Sequence, residues 1–450
     1  MDDSSECIVR NTAKCILCRR CVNICKKVQG VSAIGNINRG FNSKIGVALG
    51  MGMKDSTCVG CGQCVIHCPV GALVEKSNVG KLREALADKT KHVIIQTAPA
   101  VRATIGEEFG MPVGTLVTGK MVAALRRLGF DKIFDTDLGA DMTIMEEATE
   151  FIERLNKGKN LPMITSCSSG WITFAEKFYP DLLNHLSSTK SPMEILGTLI
   201  KTYYAKKEGI DPKDIYSVAL MPCSAKKAEI IRDELKLEGG IQAVDNVVTT
   251  REMARMLKEA NIDLASLDDE EYDDPLGEAT GAGHIFGTTG GVMEAALRSV
   301  SYILDGTEIK NVEFKQVRGT KGIKEAKINI AGKEHKIAVS QGLANASKIL
   351  DEIREGKSPY SFVEIMTCPG GCINGGGQPI VDEYKASKID VKALRAKALY
   401  KADKKAKHRK AHENQSVKKI YEDFIGKPNG KEAHRLLHTH YNKQEVYVEK

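Results

Sequence analysis

Two short cysteine runs near the start constrain this chain more than any other feature. CILCRRCVNIC carries Cys15, Cys18, Cys21 and Cys25, and CVGCGQCVIHCP carries Cys58, Cys61, Cys64 and Cys68 before Pro69. Both follow C-x-x-C-x-x-C-x-x-x-C, a local duplication. Three thiolates spaced two residues apart in a tight loop can wrap three corners of an iron–sulfur cube, while the fourth cysteine of each run reaches across to a second cube. The pattern predicts one cluster on Cys15, Cys18, Cys21 and Cys68, and another on Cys58, Cys61, Cys64 and Cys25. Zinc is the competing use of such residues, but zinc sites generally take two separated pairs rather than four cysteines packed into one short loop.

The first run ends in Lys26 where the second has Pro69, a small departure from an otherwise close likeness. Residues 1–78 resemble a bacterial two-cluster ferredoxin module, which places a domain boundary there and leaves 79–450 for the rest. The 450 residues suffice for two or three domains and a large core. The opening MDDSSECIVR has no apolar leader, and no run of about 18 uncharged apolar residues occurs, so the expectation is a cytoplasmic protein with no membrane span. In that compartment thirteen cysteines mean metal or redox chemistry rather than disulfides. The net charge is +7, much of it in KADKKAKHRKAHENQSVKK (401–419), within a basic C-terminal region 385–450. That run reads as a solvated helix face or as a docking surface for an acidic protein. Nucleic acid is not expected, because no interleaved aromatics or binding motif accompany the charge.

Five cysteines remain. Cys7 stands alone and reads as a structural thiol. The other four follow short apolar runs: LPMIT precedes Ser166-Cys167, SVALM precedes Pro222-Cys223, and FVEIM precedes Thr367-Cys368, with Cys372 following in CPGGCINGGGQP. A fourth run, HVIIQ, precedes Thr97-Ala98-Pro99-Ala100. Apolar runs bounded by Pro, Gly and Ser read as buried strands. The stretches between them, GKMVAALRRLG (119–129) and MEEATEFIERL (145–155), read as helices. Strands alternating with helices predict an α/β domain with a parallel or mixed sheet, whose ligands bind beyond the carboxyl ends of the strands. Cys223, Cys368 and Cys372 then converge on one pocket and suit one more iron–sulfur cube. The glycines of GGCINGGGQP let backbone approach a bulky inorganic group. A disulfide between Cys368 and Cys372 is the competing reading.

TSCSSGW, MPCSAKKAE and MTCPGGCINGGGQP resemble the three signature loops of the iron–iron (FeFe) hydrogenases. GAGHIFGTTGGVMEAALRS (281–299) and QVRG (316–319) are similar to that family too, and the likeness runs through essentially the whole chain. The resemblance implies an α/β catalytic domain preceded by a small α+β ferredoxin-like domain. It implies two accessory 4Fe-4S clusters and an H-cluster, a cube joined to a two-iron unit bearing CO, cyanide and azadithiolate. By resemblance, Cys223, Cys368 and Cys372 hold the cube, Cys372 bridges to the two-iron unit, and Lys226 donates a hydrogen bond to a cyanide. Met221, Met366 and Phe286 line the dry side, with Pro99 and Ala100 beside them. A proton relay is implied through Cys167, Glu150, Ser187 and Glu147, with Arg154 one turn past Glu150. Read without the resemblance, Glu147 and Glu150 are a solvated helix face.

One departure stands out. The family loop usually has two adjacent cysteines before proline, proton donor then fourth ligand of the cube; here the residues are Cys167-Ser168-Ser169. Either Ser168 takes the ligand position and Cys167 stays the donor, or the loop shifts and Cys167, the softer ligand, binds iron. In both cases the cube's potential should change, and with it the bias between forming and oxidising H2. Ala100 and Met193 occupy positions that are often polar in the family. The expected activity is reversible proton reduction to H2, coupled to ferredoxin or flavodoxin, with hydrogenase maturation proteins as assembly partners. Ferredoxins are acidic in general, so a basic patch near the N-terminal module is an expected dock. An H2 sensor of slow turnover and a non-catalytic iron–sulfur scaffold or assembly protein of related fold are the alternatives.

Overall fold

The computed structural model describes residues 1–330 and 332–447; Ala331 and the last three residues of the basic C-terminal region lie outside the described residues. The N-terminal module is closed by its own ends. Strand Ile8–Arg10 pairs antiparallel with Leu73–Glu75, and Gly35–Ile37 pairs antiparallel with Lys44–Gly46. Each cysteine run turns sharply and enters a short helix, Arg20–Asn23 in the first and Gln63–Ile66 in the second. The sequence duplication is also a backbone duplication. Leu17 and Arg19 have φ of 58° and 61°, and Gly60 and Gly62, at the matching positions, have 68° and 69°. The second run uses glycine where the left-handed conformation demands it; the first tolerates side chains there, at a cost of roughly 1–2 kcal/mol per residue.

The part that follows the module holds two four-stranded sheets. One is all parallel, in the order Lys132–Asp135, His92–Thr97, Ile215–Met221, Asn246–Thr249. The other is mixed, in the order Ile323–Ile330, Lys333–Gln341, Tyr360–Met366, Met163–Ile164, its first pair antiparallel and the rest parallel. The four apolar runs of the sequence are all strands, but they divide two and two between the sheets. HVIIQ and SVALM are neighbours in the parallel sheet, and FVEIM and LPMIT are neighbours in the mixed one. These strands are buried on both faces, as continuous apolar runs require. Ile323–Ile330 alternates buried and part-exposed positions, as an edge strand wetted on one face should.

The helix Thr136–Lys157 packs against Pro192–Leu199 so closely that a Cβ on Gly139 would stand 2.3 Å from the Pro192 carbonyl oxygen. It buries Asp137, Asp141, Glu146, Glu147 and Glu150. Glu147 and Glu150 are thus not a solvated face: Glu147 is 0 % and Glu150 9 % exposed. The basic run 401–419 is not one helix either. The helix Val391–Lys405 ends within it, a turn at Ala411–Glu413 follows, and Gln415–Ile420 forms a further helix. Its polar members turn inward: Asp403 is buried and bridges Arg298 and Arg409, and His412 and Asn414 are buried as well. Among the described residues no helix is long and apolar enough to cross a membrane.

Candidate active site

Cys15, Cys18 and Cys21 of the first run line one cavity together with Cys68 of the second, with Ile16, Ile45 and Val70 on its walls. Cys25 goes the other way: its charge bears on Cys58, Cys61 and Cys64. Cys61 and Cys64 lie at the inner end of the module. There the Gln63 side chain donates to the Asn374 carbonyl at 2.8 Å, and Ser224 Oγ donates to the Gly60 carbonyl at 2.8 Å. A Cβ on Gly376 would come within 2.6 Å of Gly62 Cα, so the second cysteine loop packs directly on the glycine-rich loop of the larger part. Cys61 is correspondingly a close charge neighbour of Cys223 and Cys368. Three thiol sets therefore follow one another from the surface inward.

The innermost set opens on a cavity of about 80 Å³ between the two sheets. Ala98 and Pro99 leave one strand end, Met221, Pro222 and Cys223 a second, Cys167 and Ser168 a third, and Met366 and Cys372 a fourth. Met193 and Phe286 complete a largely apolar wall, and Lys226 is its cation. Ala100 is not on this wall. It lies behind it, packed with Leu399, Ile373 and Gly287. Cys167 is a charge neighbour of Glu147 and Cys372. The Ser168 hydroxyl is 2.8 Å from Thr367 Oγ1 and accepts the Thr367 N–H at 3.3 Å, which holds it beside the residue preceding Cys368. Gly370 and Gly371 both have φ of 93°, and a Cβ on Gly371 would lie 2.6 Å from the Thr289 nitrogen.

Lys226 is held by Glu229 at 2.6 Å and donates to the Cys167 carbonyl at 3.3 Å. Glu229 in turn accepts from Ser169 Oγ, and from Ser191 Oγ at 2.6 Å. The ammonium is thereby fixed at the cavity rim, and the ion pair keeps its pKa above the usual lysine value despite burial. Sequence reading passed over Glu229, although it stands three residues after Lys226 in the quoted MPCSAKKAE; its serine partners come from distant loops.

A line of acids leads away from Cys167. Glu147 Oε1 lies 3.4 Å from the Ser166 N–H, while its Oε2 is buried without a hydrogen-bond partner among the described residues. Burial, and next the Glu150 carboxylate, push Glu147 up to about 8. The Ser187 hydroxyl faces Glu147 and donates to Glu150 Oε2 at 2.8 Å. Arg154 grips Glu150 at 2.6 Å and donates to the carbonyls of His185 and Leu186 at 3.0 and 2.7 Å. The C-terminal segment braces this row from behind. Buried Glu146 accepts from the Asn429 N–H at 2.7 Å and meets His438 Nε2 at 3.0 Å, and His438 Nδ1 lies 2.8 Å from Ser188 Oγ. Ser188 N–H donates to Glu150 at 3.1 Å.

Comparison with known proteins decides the family. Residues 91–376 match the family described as "Iron only hydrogenase large subunit, C-terminal domain". The chain belongs to the FeFe hydrogenases. Residues 389–444 match "Iron hydrogenase small subunit", and residues 14–72 match "4Fe-4S dicluster domain". The chain is 47% identical over 449 residues to the NADP-reducing hydrogenase subunit HndD of Solidesulfovibrio fructosivorans, covering 98% of this chain and 76% of that one. It is 47% identical over 443 residues to Iron hydrogenase 1 of Clostridium pasteurianum, covering 98% and 77%. The structure of apo [FeFe]-hydrogenase HydA1 from Chlamydomonas reinhardtii superposes with a TM-score of 0.73 at 41% identity, over 82% of this chain and 100% of that one. A more distant relative, the cytosolic Fe-S cluster assembly factor narfl of Xenopus tropicalis, is 30% identical over 402 residues, covering 86% and 83%.

The cofactors of this architecture are two 4Fe-4S clusters and the H-cluster, and the residues present fit them. The thirteen cysteines are free thiols. Burial raises Cys21 and Cys58 to about 11 and Cys372 to about 12. Thiols so placed, three or four facing one another, become thiolates only with cationic metal among them. The glycines of the third loop leave the room a bulky group needs.

Proposed function

We propose that this FeFe hydrogenase interconverts two protons and two electrons with H2, in the cytoplasm, drawing on ferredoxin or flavodoxin. The observation that carries the reading is the buried row from Cys167 through Glu147, Ser187 and Glu150 to Arg154, which joins a thiol-lined apolar cavity to the surface. Cys15, Cys18, Cys21 and Cys68 would hold the outer accessory cluster, and Cys25, Cys58, Cys61 and Cys64 the inner one. Cys223, Cys368 and Cys372 would hold the active-site cube, with Ser168 at the fourth corner and Cys372 bridging to the two-iron unit. When bound, the H-cluster supplies the metal centre at which the H–H bond is made or broken. We place the module boundary near residue 78.

The protein's own part is to move protons and exclude water. Cys167 Sγ gives its proton into the cavity and is recharged from Glu147, whose carboxyl, held near neutral pKa, can both donate and accept near pH 7. Ser187 Oγ donates to Glu150 Oε2 at 2.8 Å. When Glu150 carries a proton it can donate that proton to Ser187 Oγ, whose own hydrogen turns to Glu147 and passes inward. Arg154 holds Glu150 in place at the outer end of the row, at 2.6 Å. Met221, Met366, Phe286 and Pro99 keep the cavity dry, which strengthens every charge interaction inside it. Lys226 offers an ammonium to anionic ligands, and Glu229 and Cys167 O set its position. The Ser168 hydroxyl, held by Thr367 beside the Cys368 loop, supports Cys167 as proton donor over a shifted loop.

Iron counting and infrared spectroscopy on anaerobically matured protein test the reading. About twelve cluster irons plus a two-iron unit, with CO and cyanide bands, are expected from two accessory cubes and the H-cluster. Accessory iron with no CO or cyanide bands after maturation would instead favour an assembly factor.

A further inference from the structure

We propose that Lys177 sets the reduction potential of the inner accessory cluster, as the fixed cation that offsets the charge each incoming electron adds. This rests on the reading of Cys25, Cys58, Cys61 and Cys64 as the ligands of that cluster. Lys177 belongs to the larger part of the chain, yet its ammonium reaches into the N-terminal module. It donates to the Ser56 carbonyl at 2.6 Å and to the Cys58 carbonyl at 3.3 Å. Among the described residues no carboxylate pairs with it; its charge neighbour is Cys58, and its own charge bears on Cys58 in turn. The adjacent acid, Glu176, is taken by Arg232 and by the Gln444 side chain at 2.7 Å. Lys226 and Lys227, on the neighbouring loop, are paired with Glu229 at 2.6 Å and Glu252 at 2.8 Å. Lys177 has no such partner, so its field falls on the thiol set.

One helix gives this lysine its place. Ser169–Phe178 starts on the Ser168 carbonyl, which accepts the Trp171 and Ile172 N–H groups at 2.9 and 3.1 Å. Its ten residues span roughly 15 Å, from the loop that carries Ser168 to the second cysteine run. Lys177 stands in the last turn, where the helix carbonyls favour a cation. Trp171 and Phe174 of the same helix belong with Val59 to one apolar cluster, which Cys25 and Cys58 border. Charges in such surroundings are weakly screened. Backbone N–H groups also face the sulfurs, Gly60 to Cys58 Sγ at 3.4 Å and Ala33 to Cys25 Sγ at 3.3 Å, but they bring no net charge. The net charge around an iron–sulfur cluster is one of the protein's levers on its potential. An electron arriving from the outer set makes the inner cluster one unit more negative, and the same electron leaves for the active-site cube. A fixed cation beside the Cys58 loop stabilises the reduced form and so raises the potential of this step.

The test is an anaerobic redox titration of the full, cluster-loaded chain, followed by electron paramagnetic resonance, on the native protein and on K177M, K177Q and K177R at matched iron content. At the potential where the native inner cluster is half reduced, the reduced-to-oxidised ratio in K177M should be about tenfold lower, a shift of ~59 mV to lower potential. K177Q keeps a donor for the two carbonyls but carries no charge; it should shift by a similar amount, and it serves if K177M loses iron. K177R keeps the charge and should stay within about twofold of the native ratio. The outer cluster should titrate as in the native chain. The same shift in a Cys68→Ala background, where the Cys25 set stands alone, assigns it to the inner cluster. A native potential in K177Q would overturn the proposal and leave Lys177 a hydrogen-bonding strut, and an equal shift in K177R would overturn it as well. A native chain with only one accessory cluster signal would overturn the inner-cluster reading itself, and the role of Lys177 with it.

Discussion

Glu147→Gln strikes the proposed relay at a fully buried point. Glutamine matches glutamate in shape, and its remaining carbonyl oxygen can keep the place of Oε1 beside the Ser166 N–H. Packing is therefore preserved, and what disappears is the exchangeable proton. Positioned proton transfer contributes about 10²–10⁴ in rate, or about 2.7–5.4 kcal/mol on the barrier. H2 evolution from methyl viologen at pH 7, at matched iron content, should fall by that factor. Glu147→Asp keeps a proton on a carboxyl one methylene shorter and should fall between native and Gln. A second readout follows from the pKa, raised from 4.5 to about 8 by burial and then by Glu150. A carboxyl raised on folding favours the native state while protonated. Its contribution is thus full below the unfolded value near 4.5 and is lost as pH rises through 8. The denaturation midpoint of the native chain should decline over that window, with a slope of up to ~1.4 kcal/mol per pH unit. The Gln variant should lack that part of the slope. A Gln variant within about threefold of the native rate would refute the relay, since general acid–base catalysis leaves no room for so small a loss.

Three further outcomes follow from the same geometry. Ser168→Cys replaces the hydroxyl held by Thr367 with a thiol, and protein-film voltammetry should show a changed bias between H2 formation and oxidation; superimposable traces would reject a ligand role for Ser168. Cys68→Ala should cost about four irons per chain and leave the Cys25 set loaded, which iron analysis with electron paramagnetic resonance can decide. Lys226→Met leaves Glu229 buried with two serines and no cation. Stability in urea should fall by ~3–5 kcal/mol and recover in Lys226→Met/Glu229→Leu; equal losses in both variants would show that packing, not charge, is at stake.

Much of the molecule was legible in its sequence because the relevant patterns are local. Cysteine spacing within eleven residues fixes a loop, and each run's left-handed positions recur two residues apart. Apolar runs ending in Pro, Gly or Ser marked the strand ends that line the cavity. Their division between two sheets was not legible, since pairing joins residues as distant as Ile164 and Val363. The same limit hid Glu229, Thr367 and His438, whose partners on other loops lie 38 to 292 residues away. The basic run 401–419 misled for a different reason. Its lysines suggested solvent, but Asp403 and His412 among them are drawn inside by Arg298 and Ser299. Burial of Glu147 and Glu150 could not be read from their spacing, because the C-terminal segment that covers the helix lies nearly 300 residues on.

The central claim is that the thiol-lined cavity and the acid row behind it make a hydrogenase. The most direct test is the rate of H2 formation and of H2 uptake by the anaerobically matured full chain, with iron content and CO and cyanide bands recorded on the same sample. Turnover in both directions, lost in Glu147→Gln at unchanged iron and unchanged bands, is the predicted result. Full iron and intact bands with rates near zero in both directions would contradict it, and would point to a sensor in which the Cys167 loop no longer delivers protons.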